Sequence, residues 1–131
     1  MPESSARDLS LQIIRIVLIL GVVVSGVVFW VVLDRMSEPL LEPGARRPVR
    51  LGVLGFWALI GLAIAVIDRK RPRGGQRARA LTILGWALAE AMGLAGVVYF
   101  FLTGAWLYLG AGLGLQLVIS FLVLPPPSGG A

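Results

Sequence analysis

Residues 81–100 read LTILGWALAEAMGLAGVVYF, an apolar run that is interrupted by a single acid, Glu90. About 20 apolar residues are what a helix needs to cross the hydrocarbon core of a bilayer. A charged group near the middle of such a run costs about 2.5–3.5 kcal/mol on insertion scales, so it usually faces a bundle interior or a water path. The stretch therefore predicts a membrane-spanning helix and makes Glu90 the first candidate for a functional residue.

The rest of the chain has the same character. Of its 131 residues, 57% are hydrophobic and only 15% are charged, which is more apolar surface than a soluble domain of this size can bury. Runs long enough to span a bilayer, allowing for tilt in the second, cover residues 11–33, 51–67, 80–102 and 105–124. We expect an all-α polytopic membrane protein, a single domain with four transmembrane helices arranged as two hairpins.

The connections between the runs contain four of the eight prolines and several glycines, which break helices. We expect Asp8 or Ser10 to cap the first helix, because their side-chain oxygens can satisfy free backbone N–H groups. Residues 34–50 and 68–79 are expected to form polar loops. Residues 103–104, Thr-Gly, allow only a minimal turn, so the last two helices must be antiparallel neighbours.

The positive charge is concentrated in one loop, which predicts the topology. The net charge is +5, and six of the twelve basic residues are Arg69, Lys70, Arg71, Arg73, Arg77 and Arg79. The positive-inside rule places this loop and both termini in the cytoplasm, as in a multi-pass protein of the cell inner membrane. This placement argues for a lipid bilayer and against nucleic acid as the partner. The six side chains are also candidates for contact with anionic lipid headgroups or an acidic partner surface.

The chain lacks the residues of most catalytic and metal sites. It has no cysteine and no histidine, which excludes disulfides, thiol chemistry, Cys/His zinc sites and His-ligated haem. No second acid, base or nucleophile falls near Glu90 within the spans, and no phosphate-binding motif is present. We therefore expect a non-enzymatic protein without a cofactor or a metal.

Small residues predict how the helices pack. Burying apolar surface gives no advantage over lipid, so transmembrane helices associate through close contacts at small side chains. Such residues recur at a spacing of four in the third helix (Gly85, Ala89 and Gly93) and in the fourth (Gly110 and Gly114). We expect helix-packing seams there, with space for a substrate or for neighbouring subunits as the alternative. Self-association or other membrane subunits would be the partners.

Two interpretations of Glu90 remain open at this point. In an antiparallel hairpin, Gln116 of the fourth helix lies at nearly the same depth, and its amide could pair with the carboxyl. Glu90 is then a hydrogen-bond staple to Gln116 or to a partner subunit. In the other interpretation, Glu90 binds and releases a proton or a cation. Arg15, near the cytoplasmic end of the first span, is expected to extend to the interface.

The hairpin from Leu51 to Leu102 resembles the ATP synthase c subunit. The shared features are an apolar helix, a basic loop with Arg71-Pro72, and a helix carrying Gly85-Trp-Ala-Leu-Ala-Glu90-Ala. The resemblance implies that Glu90 is the ion-binding carboxylate and that the loop is cytoplasmic. The whole chain also resembles small multidrug resistance transporters, which have four spans and one membrane-embedded Glu for proton-coupled exchange of cations. In those transporters the Glu lies in the first helix.

Two functions follow as expectations. The first is a small non-enzymatic accessory or scaffold subunit of a membrane assembly, favoured by the small size and the many packing seams. The alternative is proton- or cation-coupled transport through Glu90, with the protein acting as an oligomer.

Overall fold

The computed structural model describes residues 2–36 and 40–126, and the regular elements in this part of the chain are all helices, without strands. The elements are α1 (Pro2–Asp34), α2 (Pro43–Lys70), α3 (Gln76–Thr103) and α4 (Trp106–Val118), which continues into a π-helical turn (Ile119–Val123). All four helices are long and apolar enough to cross a membrane, the last one together with its π-helical turn. The predicted all-α class with four helices is confirmed.

The helices extend beyond the predicted spans. Because α1 already begins at Pro2, the predicted caps at Asp8 and Ser10 are wrong. The predicted loop over residues 34–50 is also too long, since α2 begins at Pro43. Proline is tolerated at the first helical position, where its missing N–H would have no helical partner, and a further proline close to the N-terminus removes only one backbone hydrogen bond.

Helix α3 is the centre of the bundle. It packs against α1, α2 and α4, whereas α1 and α2 make little contact with each other. The first two helices therefore do not pair as the two-hairpin arrangement implies. The small residues of α3 explain the difference, because they let several backbones approach one helix. The prediction for the second pair is confirmed: the turn at Gly104, with φ of +74°, makes α3 and α4 antiparallel neighbours.

The closest approach of α3 and α4 occurs at two glycines. A Cβ atom added to Gly96 would collide with the carbonyl oxygen of Tyr108 and lie 3.2 Å from Cα of Gly112. By contrast, Gly110 and Gly114 have no neighbouring atom within 4 Å of such a Cβ. The predicted seam at these two glycines is thus not the one that α4 uses against α3. Because α4 is rotated so that Gly112 faces α3, the glycines two positions away on either side point elsewhere.

The other predicted packing residues of α3 lie inside the bundle. Ala89 is fully buried, a Cβ on Gly85 would collide with the side chain of Leu124, and one on Gly93 would lie 2.9 Å from Oε1 of Gln116. Gly85 and Gly93 leave room for two side chains that pack against α3, those of Leu124 and Gln116.

Aromatic rings cluster at the end of the bundle away from the α2–α3 loop. The ring pairs are Phe29–Phe101, Trp30–Trp106, Trp57–Tyr108, Tyr99–Tyr108 and Phe100–Trp106. These contacts connect all four helices. The indole N–H of Trp57 also donates a 2.9 Å hydrogen bond to the carbonyl oxygen of Met92, which ties α2 to α3.

Candidate functional site

Glu90 lies at the edge of the contact between α1 and α3, which we call the α1–α3 seam. Its Oε1 atom would be 3.2 Å from a Cβ atom added to Gly21 of α1. Three and four residues away on α3, Ala87 and Leu94 are exposed, and Glu90 itself is partly exposed. Since residues at these spacings share a helix face, Glu90 borders the outer surface of the bundle rather than its centre.

The carboxyl of Glu90 has no hydrogen bond and no ion pair with any residue in the described part of the chain. The predicted pairing with Gln116 does not occur. The Gln116 amide instead donates a 3.3 Å hydrogen bond to the carbonyl oxygen of Leu18 in α1. If Glu90 acts as a hydrogen-bond staple, its partner is therefore not Gln116. The partner would have to be a group outside the described residues.

Packing explains why the two polar side chains do not meet. Gln116 is fully buried, and its Oε1 atom lies beside Gly93, one helical turn from Glu90 on α3. The side chain of Val22 also packs against Gly93, so the centre of the α1–α3 seam is filled. Gln116 lies within one helical turn of Glu90 along α3, close to the level that the sequence predicts. The rotation of the helices nevertheless keeps the amide and the carboxyl apart. The Oε1 atom of Gln116 is left buried without a partner.

Arg15 packs against aromatic rings. Its guanidinium carbon lies 4.0 Å from the ring centroid of Phe121 and 5.6 Å from that of Trp86, both cation–π distances. Its Nε atom is buried without a hydrogen-bond partner. The side chain is thus held between α1, α3 and the π-helical turn, which differs from the free extension to the interface that the sequence suggests.

The six basic residues of the predicted loop have different environments. Arg71 Nη1 donates hydrogen bonds to Thr82 Oγ1 (2.9 Å) and to the carbonyl oxygen of Pro125 (2.6 Å), so this side chain connects Pro125, just after the π-helical turn and Leu124, to α3. Of the other five, Arg79 is partly exposed, and the exposed ones are Arg69, Lys70, Arg73 and Arg77. The four exposed side chains are the ones fully open to the surroundings of the protein.

Sequence reasoning missed the neighbours that define the site. Nothing in the sequence indicates that Gly21 lies beside Glu90, and the carbonyl oxygen of Leu18 carries no sequence signal at all. The π-helical turn, closed by a 2.8 Å hydrogen bond from the backbone N–H of Leu124 to the carbonyl oxygen of Ile119, has no signature in the run ISFLV either.

Within the described residues, no group of three or more acidic side chains is arranged to hold a metal ion. Comparison with known proteins gives no match to a family model, a curated protein or a solved structure.

Proposed function

We propose that this chain is a small integral protein of the cell inner membrane, with both termini in the cytoplasm, that serves as a non-enzymatic accessory or scaffold subunit of a larger membrane assembly. One observation supports the proposal: the carboxyl of Glu90 lies unpaired at the α1–α3 seam, beside an exposed helix face. A polar group in hydrocarbon is costly without a hydrogen-bond partner. A helix from outside the chain is the natural source of that partner.

Photo-crosslinking in native membranes tests the proposal. A photoreactive amino acid in place of Leu94 would sit one helical turn from Glu90 on the exposed face of α3. The matched control carries it in place of Leu59 of α2, which is 65% exposed but distant from the seam. We expect an adduct of discrete mass from position 94 and none of that mass from position 59. The absence of a discrete adduct, together with purification as a monodisperse monomer, would overturn the proposal.

The same unpaired state favours a second candidate, proton- or cation-coupled transport through Glu90 as an oligomer. A group that exchanges an ion must not be held permanently by an internal partner, and no described residue holds this carboxyl. The test is flux across reconstituted vesicles with Glu90→Gln, which keeps the shape of the side chain but removes its titration. Unchanged flux would eliminate the transport role. Leu84→Gln, which introduces the same amide at an exposed position of the same helix, serves as the matched control.

A further inference from the structure

We propose that the helix that covers Glu90 belongs to a different protein and carries a lysine or an arginine near its midpoint. This inference rests on the proposed accessory role and adds the chemistry of the partner. Three features support it: the room around the carboxyl, the absence of a base within reach in this chain, and the inability of a second copy to provide one.

The surroundings of the carboxyl allow another helix to approach closely. On the α1 side it meets Gly21, which has no side chain. On α3 its neighbours Ala87 and Ala91 are exposed and partly exposed, and each contributes only a methyl group. Small residues at a helix surface permit close backbone contact in lipid. A long basic side chain entering from a neighbouring helix would therefore find the carboxyl accessible.

No base of the described chain is available to Glu90. Arg15 is the only basic residue within the predicted spans, and its guanidinium is held by the rings of Phe121 and Trp86. It also lies six residues before Gly21, which is about 9 Å along the axis of α1. The described basic residues that lie outside the predicted spans are Arg7, Arg35, Arg46, Arg47, Arg50, Arg69, Lys70, Arg71, Arg73, Arg77 and Arg79.

A second copy of the chain cannot supply this base either. Copies that share the topology predicted by the positive-inside rule present the same residues at the same depth. At the depth of Glu90 it offers another Glu90, the fully buried Gln116, or apolar side chains. Two carboxyls can at best share one proton and they repel each other when both are charged, whereas an ammonium or a guanidinium forms a stronger, charge-assisted hydrogen bond with a carboxylate. Charge complementarity thus favours a foreign helix with a central base.

A designed peptide provides the test. The full-length protein is labelled with a fluorescent donor at Gln76→Cys, which is unique because the sequence has no cysteine. It is reconstituted in phosphatidylcholine vesicles with an acceptor-labelled Leu/Ala-rich peptide of about 22 residues. One peptide has a lysine at its centre, and the matched peptides have a leucine or a glutamate. We expect energy transfer to the lysine peptide with at least about tenfold tighter association than to either control.

Variants of the protein assign the effect to Glu90. Glu90→Leu is expected to abolish the preference for the lysine peptide, whereas Leu84→Gln, on the same exposed side of α3, is expected to preserve it. Circular dichroism establishes that each variant is folded. Equal association of all three peptides with folded wild-type protein would overturn the inference. So would Glu90-dependent energy transfer between copies of the chain with no peptide present.

The two proposals fail in different ways. If the crosslink at position 94 identifies a partner whose adjoining helix has no base, the accessory role stands and the inference about its chemistry is wrong. If no partner is crosslinked and the protein is a monomer, the accessory role itself is wrong.

Discussion

The indole N–H of Trp86 donates a 2.8 Å hydrogen bond to the backbone carbonyl oxygen of Leu124. Both residues are fully buried, and the side chain of Leu124 occupies the space left by Gly85. This contact fastens the end of the π-helical turn to α3. Because a π-helical turn leaves its backbone groups in an unusual register, a side-chain donor at its end stabilises the arrangement.

Replacing Trp86 by phenylalanine should lower the free energy of unfolding by about 1–3 kcal/mol, because the carbonyl oxygen of Leu124 would be buried without its donor. Thermal unfolding in detergent, followed by circular dichroism, measures the change. Trp30→Phe is the control, since Trp30 is 47% exposed and makes only ring contacts. A similar loss in both variants would mean that ring size, and not the hydrogen bond, stabilises the protein.

Gly96→Ala should be destabilising by about 1–3 kcal/mol, because the added methyl group would collide with the backbone of α4 at Tyr108. Gly110→Ala on α4 meets no atom within 4 Å, and alanine is the better helix former by up to about 1 kcal/mol. We expect Gly110→Ala to unfold at the same temperature as the wild type or above it. The opposite order of the two variants would contradict the rotation of α4 described above.

Arg71→Gln should lower the free energy of unfolding by about 1–3 kcal/mol through loss of the hydrogen bonds to Thr82 and Pro125. Arg69→Gln removes an equal charge from an exposed position two residues earlier and should have little effect. Chemical denaturation of the two variants side by side measures the difference. If both behave alike, Arg71 contributes only charge.

Gln116→Leu is expected to leave stability unchanged or to increase it. The amide makes one 3.3 Å hydrogen bond, and its buried oxygen has none, so an apolar side chain of similar volume removes an unsatisfied group. Gln116→Ala should instead be destabilising by about 1–3 kcal/mol because it leaves a cavity. A marked loss of stability in Gln116→Leu would show that the amide oxygen has a partner in the membrane.

A hydrophobic carbodiimide, which reacts with protonated carboxyls inside membranes, should modify Glu90 from the outer surface of the bundle. Gly21→Leu should slow this reaction severalfold, because its side chain would cover the carboxyl oxygen that lies 3.2 Å from the Cβ position. Val24→Leu, an exposed position one turn further along α1, is the control and should leave the rate unchanged. Mass spectrometry of the modified peptide gives the rates. Equal rates in both variants would place Glu90 away from Gly21.

The sequence alone predicts the four helices and the turn at residues 103–104, because apolar length and a glycine that can adopt positive φ are local properties. It predicts the packed face of α3 at Gly85, Ala89 and Gly93, but it does not predict which face of α4 meets α3. Gly110 and Gly114 have the favoured spacing, yet Gly112 makes the contact, since the rotation of α4 is set by the backbone of Gly96.

The candidate site is likewise predictable from the sequence only in part. The depth of Glu90 and Gln116 follows from counting residues along two antiparallel helices. The orientation that turns one group toward Leu18 and the other toward Gly21 follows from packing across three helices, which no single segment encodes.

The central position of α3 also bears on biosynthesis. In the proposed membrane topology, α1 and α2 enter the bilayer before α3 does, and they make little contact with each other. Until the ribosome has delivered the chain through Thr103, neither helix has the surface against which it finally packs. On that proposal, we expect the first half of the protein to remain in the membrane as two separate helices until the third is inserted.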